Sequence, residues 1–400
     1  MTTSMLSSIP AVLGGAPIPD SPLPFVRPLL PSLEDLHPSY SEIFQNGMVT
    51  TGSNAEKLGE EVARHLGTDF AIAVSSCTAG LILAIQSLNL PKGSEVIVPS
   101  FTFMASGLGP VWNGLRIRFV DVDCETMNVD PRRVEEAIGS NTSAIIGVHQ
   151  FGNPAPIDSL QAIADRRGLA LLFDAAHGFG SLHRGRPLGG FGRAEVFSMS
   201  PTKLLIAAEG GIVATNDPET AYHLRIGRNY GNPGDYECLF SGMNARMSEL
   251  HAIMALHSLE GLESAALHRN RARDKYVERL SEIPGIRFQK IAEEDRSSLK
   301  DFSIVVDEEF GLTQRQLEES LKAETIQTRV YYCPVLHKMQ AFRCFAENGM
   351  DEWLPNTLYL ESHALSLPMY SNMQDREIDQ VCEAIERIHA NASAVAARFS

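Results

Sequence analysis

One lysine, Lys203, stands in a setting where its side chain could do chemistry. It lies five positions after Ser198, on a loop of mostly small residues that follows an apolar segment. A lysine beside an apolar strand can be shielded from water, which lowers the pKa of its amine and makes the amine a usable nucleophile. Because most lysines are solvated surface charges, a catalytic role for Lys203 requires suitable partner residues.

A carboxylate and a histidine follow another apolar segment. Asp174 ends the run that begins at Leu171, and His177 comes three residues later. Burying a charged carboxylate there is costly unless a cation or a strong hydrogen-bond donor meets it. The alternative is a structural aspartate that caps the next turn. A single histidine is likewise more often a satisfied packing residue than a catalyst.

A third segment, Ser75–Leu81, is rich in small and hydroxylated residues and opens a predicted helix. Free backbone N–H groups at the start of a helix, with a hydroxyl such as that of Thr78 beside them, form a seat for a phosphate. The alternative is ordinary capping of this helix by Ser76 or Thr78. Ser198 could reach the same anion as Thr78.

These groups together match the requirements of one cofactor, pyridoxal phosphate (PLP). PLP needs a lysine for its covalent link, an aspartate that keeps its pyridine nitrogen protonated, hydroxyl and N–H groups for its phosphate, and an aromatic face against its ring. The chain supplies one of each, in that order: Lys203, Asp174, Thr78 with Ser198, and Phe103. Once released from the cofactor, Lys203 would move a proton as general base.

Short apolar segments that alternate with helical patterns must position these residues. The alternation predicts an α/β protein with a mostly parallel, seven-stranded sheet that helices cover on both faces. Ligands of such sheets bind at the carboxyl ends of the strands, where the residues above stand. The predicted strands are Phe70–Ser75, Glu95–Pro99, Ile117–Asp121, Ser143–His149, Ala170–Asp174, Ala194–Ser198 and Gly211–Thr215. The predicted helices include Thr78–Leu88, Pro131–Ile138 and Ile157–Arg167.

The pattern changes in the last third of the chain. Long helical segments run from about Ser248 to about Ile283, before a smaller α+β unit. Its predicted elements are strands near Ile286–Gln289, Phe302–Val306 and Thr328–Tyr332 and a closing helix over about Asp375–Ala396. Since 400 residues are too many for one compact core, we predict three parts. They are an N-terminal arm (1–27), a large α/β domain (28–260), and a linking helix with a small C-terminal α+β domain (261–400).

The composition argues against several classes of protein. Lys and Arg total 34 against 49 Asp and Glu, a formal net charge of −15, which disfavours nucleic-acid binding. An anionic substrate must therefore be held by local groups rather than by the overall field. The six cysteines include no Cys-x-x-Cys pair, so we expect no metal site, no disulfide framework and a cytoplasmic location. No apolar run approaches the roughly 20 residues of a membrane span, so no membrane partner is expected.

The motifs, in their order along the chain, resemble those of the DegT/DnrJ/StrS-type aminotransferases. The resemblance covers almost all of residues 25–385 and implies the aspartate-aminotransferase fold, known as PLP fold type I. The segments that carry it are Val49–Gly52, Ser76–Ala79, Val98–Phe103, Asp174–His177, Phe197–Lys203, Glu209–Gly211, Asn244–Glu249, Tyr332–Pro334, Leu336–His337 and Leu367–Pro368. Enzymes of this family mostly aminate nucleotide-linked keto sugars.

The resemblance also implies a role for each matching residue around the cofactor. Lys203 would bond covalently to PLP, and Asp174 would bind its ring nitrogen. Phe103 would stack on the ring, with His177 close by. The residues expected around the phosphate are Cys77, Thr78, the backbone of Ala79, and Ser198.

Further residues are expected to bind substrate or to act across a subunit boundary. Asn244 would reach the phosphate from the neighbouring subunit, so the resemblance implies a homodimer with shared active sites. Arg228 and Arg246 could meet anionic groups of L-glutamate or of the nucleotide diphosphate. The residues expected to line the sugar pocket are Tyr331, Tyr332 and His337.

Two positions bear on the reaction. Some relatives are sugar dehydratases with histidine in place of the PLP-linked lysine, so Lys203 favours transamination. Cys77 stands where many relatives have glycine, and some members that act on 4-keto-6-deoxy sugars have cysteine there. The predicted reaction is transfer of an amino group from L-glutamate to a nucleotide-linked keto-deoxyhexose, with a dTDP-4-keto-6-deoxyhexose favoured.

Two alternatives differ in substrate or in class. The same cofactor chemistry could serve a cyclitol or a cyclic keto acid, or an aromatising synthase. A regulatory or binding protein could instead have kept the fold and lost catalysis, although the presence of both Lys203 and Asp174 disfavours that.

Overall fold

Nine strands occupy the first two thirds of the chain in the computed structural model, which describes residues 9–399. They are β1 (Phe70–Val74), β2 (Glu95–Pro99), β3 (Arg116–Val120), β4 (Thr142–Val148), β5 (Ala170–Asp174), β6 (Leu182–His183), β7 (Arg186–Pro187), β8 (Ala194–Ser198) and β9 (Gly211–Thr215). β6 and β7 form a separate hairpin, and the other seven make one sheet in the order β1-β9-β8-β5-β4-β2-β3. β9 runs antiparallel to β1 and β8, and the other neighbours are parallel. The predicted mostly parallel seven-stranded sheet is confirmed.

Helices cover both faces of this sheet, which explains why its strands are apolar without alternation. Every residue of β8 and β9 is buried, as expected for strands covered on both sides. The helices that pack on one face are Ser53–Leu66, Pro131–Ala137, Ile157–Arg167 and Glu249–Glu260. Those on the other face are Cys77–Ser87, Met104–Trp112 and Pro218–Gly227. The helix Leu33–Asn46 packs outside, on Glu249–Glu260.

The buried carboxylate of Glu249 links two segments that are far apart in the sequence, Val49–Gly52 and Asn244–Glu249. Glu249 accepts hydrogen bonds from the backbone N–H groups of Gly52 (3.0 Å), Asn54 (2.7 Å) and Ala55 (3.2 Å). These groups belong to the first turn of the helix Ser53–Leu66 and its cap, which have no partners within the helix. A negative charge at a helix N-terminus is also favoured by the helix dipole. Glu249 thereby fastens the segment Val49–Gly52 to the start of its own helix.

The C-terminal part forms a second, smaller core around an antiparallel sheet. Its strands are β10 (Ile286–Phe288), β11 (Phe302–Val306) and β12 (Ala364–Leu367), with β11 in the middle. The helices that pack with this sheet are Leu262–Leu280, Gln314–Ala323, Asp375–Ala390 and Ala392–Phe399. Two short helices, Met350–Trp353 and Pro355–His363, precede β12. Leu262–Leu280 spans both cores, because its first turns pack on the large unit and its later turns on the small one.

The predicted strand at Thr328–Tyr332 is wrong. The segment makes only an isolated bridge between Arg329 and Ser366, and β12 is the third strand of the small sheet. The aromatic residues that suggested a strand instead build a wall of rings. Tyr332 lies 5.3 Å from Phe101 between ring centroids, and Tyr331 lies 6.1 Å from Phe25.

The predicted closing helix is divided in two, and the long helical segments before it are two helices. The helical region from Ser248 to Ile283 consists of Glu249–Glu260 and Leu262–Leu280, which Gly261 separates. The closing helix breaks at Asn391. Ile388 before Asn391 and Val395 after it both lie in the small core, so the sequence periodicity did not reveal the break in the closing helix.

The described part of the predicted N-terminal arm packs on the small unit. Buried Glu324 accepts hydrogen bonds from the N–H groups of Ala11 (2.8 Å) and Ile18 (3.1 Å). Leu23 pairs with Ile326, and its side chain lies in the small core. Residues 1–8 of that predicted arm lie outside the described residues. Within residues 9–399, no helix has both the length and the apolar character needed to cross a membrane.

Candidate active site

Three strands bring the candidate residues to one edge of the large sheet. Gly211, the first residue of β9, lies opposite both Val74 at the end of β1 and Ser198 at the end of β8. A Cβ atom on Gly211 would lie 2.6 Å from the backbone nitrogen of Cys77. Only glycine therefore allows β9 to approach the loop that follows β1. That close approach places the start of the helix Cys77–Ser87 beside Ser198.

This helix start offers unpaired donors, as a phosphate site requires. Ser76 Oγ accepts the N–H of Ala79 at 3.1 Å, so Ser76 is the cap, and the N–H of Ala79 is already engaged. Among the contacts of the described residues, the N–H groups of Cys77 and Thr78 and the hydroxyl of Thr78 have no partner. The capping alternative is therefore correct for Ser76, and it leaves the Thr78 position open for an anion.

The thiol of Cys77 is a buried group that is not available to bind an anion. Its Sγ donates to the carbonyl of Val196 at 3.5 Å, and burial raises the pKa of the thiol well above its usual range. Cys77 is therefore a neutral packing residue whose backbone N–H, and not its sulfur, is available to an anion.

A cavity of about 320 Å³ opens above this edge. Eight of the predicted site residues line it: Cys77, Thr78, Phe103, His177, Ser198, Lys203, Tyr331 and Tyr332. The other polar residues in its wall are Ser76, Ser200, Thr202, Glu209, Lys300 and Asp301. Phe103 is 50% exposed, so its ring is open to a ligand and to the solvent above the cavity.

Lys203 has the properties of a nucleophilic amine. Within the described residues, no hydrogen bond or ion pair holds its Nζ. Burial and, to a smaller extent, the nearby ammonium of Lys300 lower the pKa of Lys203 to about 7, against the opposing charge of Asp301. A large part of the Lys203 amine is therefore unprotonated near neutral pH, which is the form that attacks a carbonyl carbon.

Asp174 is a buried carboxylate that forms no ion pair with any of the residues that the structure describes. It stands at the end of β5, is 3% exposed, and is not one of the residues that line the cavity. Its oxygens accept hydrogen bonds from Ser106 Oγ (2.6 Å) and from the N–H of Ala176 (3.1 Å). Burial raises the pKa of Asp174, and these two donors oppose that rise. A positively charged group beside it would relieve the cost of the buried charge.

His177 carries an unused polar atom beside the cavity. Its buried Nδ1 has no hydrogen-bond partner in the part of the chain that the structure describes, and its ring stacks on that of Phe151 at 6.4 Å between centroids. Burial, together with the charges of Lys203 and Lys300, holds the pKa of His177 well below its usual range. The imidazole is therefore neutral.

The arrangement fits PLP group by group. The cofactor's aldehyde would meet an unpaired amine, its protonated ring nitrogen a buried carboxylate, and its phosphate the free N–H groups at a helix start. A neutral imidazole with an unpartnered nitrogen supplies a further polar contact. Among residues 9–399, each of these protein groups otherwise lacks a hydrogen-bond partner or an ion-pair partner, which is rare for buried groups.

The other predicted residues lie away from this cavity in the chain described. Arg228 and Arg246 line a second cavity of about 340 Å³. Arg228 Nη1 donates to the carbonyl of Ala73 at 2.6 Å, and Arg246 Nη1 donates to Asn229 Oδ1 at 2.5 Å. Asn244 is exposed and does not line the first cavity.

His337 was expected in the sugar pocket, and the structure places it elsewhere. Its buried ring lies between Ser100 Oγ, 2.7 Å from Nδ1, and Asp351 Oδ1, 2.9 Å from Nε2. Both ring nitrogens are therefore occupied by protein partners. His337 does not line the cavity, so its predicted sugar contact has no support from its position.

Two groups of site residues were not predicted. Ser106 orients Asp174 from the helix Met104–Trp112, and Lys300 with Asp301 reaches the cavity from the loop before β11. The sequence offers a weak sign for the second group, since Lys300 and Asp301 directly precede the apolar strand Phe302–Val306 and follow the small residues Ser297 and Ser298.

This sheet, with a desolvated lysine, a buried aspartate and a phosphate seat at one edge, defines a PLP enzyme of fold type I. The sequence profile of the DegT/DnrJ/EryC1/StrS aminotransferase family matches residues 34–386. The chain is 30% identical over 380 residues to the spore coat polysaccharide biosynthesis protein SpsC of Bacillus subtilis (strain 168), covering 92% of this chain and 97% of SpsC.

Two solved structures are similar over nearly their whole length. DesI, solved in the presence of its TDP-sugar product, has a TM-score of 0.91 and 33% identity over 98% of this chain and 99% of the DesI chain. DesV from S. venezuelae, in complex with a ketimine intermediate, has a TM-score of 0.83 and 30% identity over 92% of this chain and 98% of its own. The chain belongs to the DegT/DnrJ/EryC1/StrS aminotransferase family. It is thus a PLP-dependent aminotransferase.

Proposed function

We propose that the enzyme transfers the amino group of L-glutamate to the keto group of a nucleotide-linked deoxyhexose, with a dTDP-4-keto-6-deoxyhexose as the favoured acceptor. The observation that carries the proposal is the unpaired, desolvated amine of Lys203 in the same cavity as a free phosphate seat. The similarity to DesI, a protein solved with a TDP-sugar product, and to a polysaccharide biosynthesis protein supports a sugar acceptor.

Each residue of the candidate active site has its own role in the proposed reaction. When bound, PLP supplies an electron sink for the carbanion at the amine-bearing carbon. Asp174 would hold the ring nitrogen in its protonated form, because its buried carboxylate needs a cation there. Lys203 Nζ would remove the proton from the amine-bearing carbon and return it. Thr78, Ser198 and the N–H of Cys77 would hold the phosphate.

The aromatic wall would exclude water and orient the sugar. Tyr331 and Tyr332 line the cavity, and burial raises the pKa of Tyr331 to about 12 and that of Tyr332 well above its usual range. Both hydroxyls therefore stay protonated and can donate hydrogen bonds to sugar oxygens. Phe103 is free to stack on the cofactor ring.

The proposal includes a homodimer in which each subunit completes the other's site. Asn244 is exposed and lies outside its own cavity, as a residue that serves a partner would. Arg228 and Arg246, in the second cavity, would approach anionic substrate groups only across such an interface. Exposed aromatic residues such as Phe44, Trp112 and Tyr236 offer apolar surface for association.

Mixing two inactive variants tests the shared sites. In a hybrid of Lys203→Ala and Asn244→Ala subunits, one site would have both native residues and the other neither. We expect the mixture to regain activity after subunit exchange, with light scattering confirming the dimer. A mixture that stays inactive while hybrids form would contradict the shared-site proposal.

The acceptor is tested by incubating the holoenzyme with L-glutamate and a panel of dTDP-, UDP- and GDP-linked 3-keto and 4-keto sugars. We expect amino-sugar formation with a dTDP-linked 4-keto-6-deoxy sugar. No turnover with any member of the panel would contradict the proposed acceptor class.

A cytoplasmic location belongs to the proposal and is supported by the absence of disulfides among the six cysteines.

A further inference from the structure

A buried ion pair from the C-terminal unit forms part of the cofactor cavity. Lys300 Nζ lies 2.7 and 2.8 Å from the two carboxylate oxygens of Asp301. The residues are 4% and 2% exposed, and both line the cavity that contains Lys203. A buried charge pair contributes little net stability on average compared with apolar residues of the same size. Its retention in the wall of a cavity therefore suggests a function.

The backbone around Lys300 is held in place from two sides. Its N–H donates to the carbonyl of Phe151 at 3.0 Å, and its carbonyl accepts from Arg269 Nη1 at 3.1 Å. The ammonium lies 5.5 Å from the ring centroid of Tyr331. These contacts fix the ammonium at one place in the cavity before any ligand arrives.

Once Lys203 is bonded to the cofactor, Lys300 is the cationic side chain of the cavity wall that can bind an anionic group of the substrate. The cavity wall formed by the described residues contains two cationic side chains, Lys203 and Lys300. Lys203 is taken up by its bond to the cofactor. The arginines of the chain that were candidates for anion binding, Arg228 and Arg246, line a different cavity.

The ammonium also has a free donor. A lysine ammonium has three N–H groups, and the two oxygens of the single Asp301 carboxylate, which lie on one side of Nζ, can engage at most two of them. No other protein acceptor is within hydrogen-bond distance of Lys300 Nζ among the described residues. At least one N–H is therefore available to an incoming anion.

We propose that Lys300 binds a carboxylate of the amino donor and that Asp301 orients it for this role. In an amino acid the α-carboxylate is one bond away from the carbon whose nitrogen is transferred, so a cation in the wall next to Lys203 can reach it. The diphosphate of a nucleotide sugar is several bonds from the keto carbon, so it would lie farther from Lys203 than the α-carboxylate of an amino acid does. The inference rests on the proposed function, because it takes L-glutamate as the donor.

The test compares two halves of the reaction in the holoenzyme. The variants are Lys300→Met, the charge-balanced double variant Lys300→Met with Asp301→Asn, and Lys300→Arg. The double variant avoids leaving a buried carboxylate without its partner. Lys290→Met is the matched control, because Lys290 also pairs with a carboxylate, Glu125 at 2.9 Å, but on the surface.

Three measurements distinguish a loss of donor binding from a general structural effect of the substitution. Titration with L-glutamate, followed by the visible-edge absorption of bound PLP, gives an apparent dissociation constant and a limiting rate. Calorimetry with glutarate, which has both carboxylates and no amine, measures binding without reaction. The amine form of each enzyme is then titrated with the keto sugar.

We expect both Lys300→Met variants to bind glutamate and glutarate about tenfold to a hundredfold more weakly, as the loss of one charge-assisted hydrogen bond predicts. Lys300→Arg should recover part of the affinity, and the keto-sugar titration should change little. Unchanged donor affinity, or a loss confined to the keto sugar, would overturn the inference alone. A wild-type holoenzyme that glutamate does not convert would overturn the proposed donor and the inference together.

Discussion

Ser106 Oγ donates a 2.6 Å hydrogen bond to Asp174 Oδ2, and both residues are buried. Thr102 Oγ1 lies 2.9 Å from the same Ser106 oxygen, so the serine sits in a short chain of hydroxyl groups that ends at the carboxylate. This chain fixes the orientation of Asp174, and within residues 9–399 no cation forms an ion pair with the carboxylate. The carboxylate is therefore ready for the protonated nitrogen of PLP before the cofactor binds.

Removing the serine hydroxyl should weaken cofactor binding. Ser106→Ala takes away one donor that opposes the raised pKa of Asp174, so the carboxylate becomes harder to ionise and its orientation is less fixed. We expect about tenfold weaker PLP affinity, in line with one lost hydrogen bond to a charged group. Absorbance titration of the apoenzyme measures it, with Ser362→Ala on the surface as control. Equal PLP affinity in the two variants would show that Ser106 does not support Asp174.

Replacing Asp174 with a neutral residue should lower the activity of the enzyme without lowering the stability of the apoenzyme. Burial raises the pKa of Asp174 in the folded state, so its ionised form destabilises the apoenzyme at any pH above that raised value. This cost disappears in acid below the ordinary aspartate range, where both states are protonated. Asp174→Asn should therefore leave the apoenzyme at least as stable at neutral pH, while turnover falls by about a hundredfold or more because the ring nitrogen loses its counter-charge.

Urea unfolding of the apoenzyme and steady-state assays check the two halves of this prediction. An Asp174→Asn variant that unfolds much more easily but keeps its turnover would reverse the expected pattern. It would assign Asp174 to the structure rather than to the cofactor.

Cofactor uptake should depend on pH through Lys203. Only the unprotonated amine can attack the PLP aldehyde, and the pKa of Lys203 is lowered to about 7. The rate of PLP uptake by the apoenzyme should thus rise with pH and level off above about 7. Lys300→Met removes a cation that lowers this pKa, so its uptake profile should shift to higher pH. Stopped-flow absorbance provides the profiles, and coincident wild-type and variant curves would rule out the electrostatic effect of Lys300.

The carboxylate of Glu249 should matter for stability rather than for chemistry. It accepts three backbone N–H groups around the start of the helix Ser53–Leu66. Glu249→Gln should lower the free energy of unfolding by about 1–3 kcal/mol, the usual cost of disrupting buried hydrogen bonds to a charged group. Denaturant unfolding measures this, and the exposed Glu260→Gln should stay within about 0.5 kcal/mol of wild type. Equal stability of both variants would contradict the assigned role of Glu249.

Local sequence patterns sufficed to predict the large sheet and several residues at its edge. All seven strands lie within one residue of their predicted ends, because strands buried on both faces are continuous apolar runs. Ser198 and Lys203 were predicted from their place after such a run, and the cavity brings them together.

The features that the sequence did not reveal depend on contacts between distant segments. Lys300 and Asp301 belong to the C-terminal unit, and only its packing against the large sheet brings them to Lys203. His337 stood in a matching motif, but its ring is occupied by Ser100 and Asp351. The segment Thr328–Tyr332 has strand-like residues that pack as an aromatic wall. In each case tertiary packing decided the outcome.

The most direct test of the central claim is the absorption spectrum of the purified enzyme through one cycle of half-reactions. The wild type with PLP should show a band near the visible edge that L-glutamate removes and a dTDP-linked 4-keto-6-deoxy sugar restores. Lys203→Ala should lack that band and form no amino sugar. A wild-type protein that never takes up PLP, or a Lys203→Ala variant that still completes the cycle, would contradict the assignment of Lys203 as the working amine.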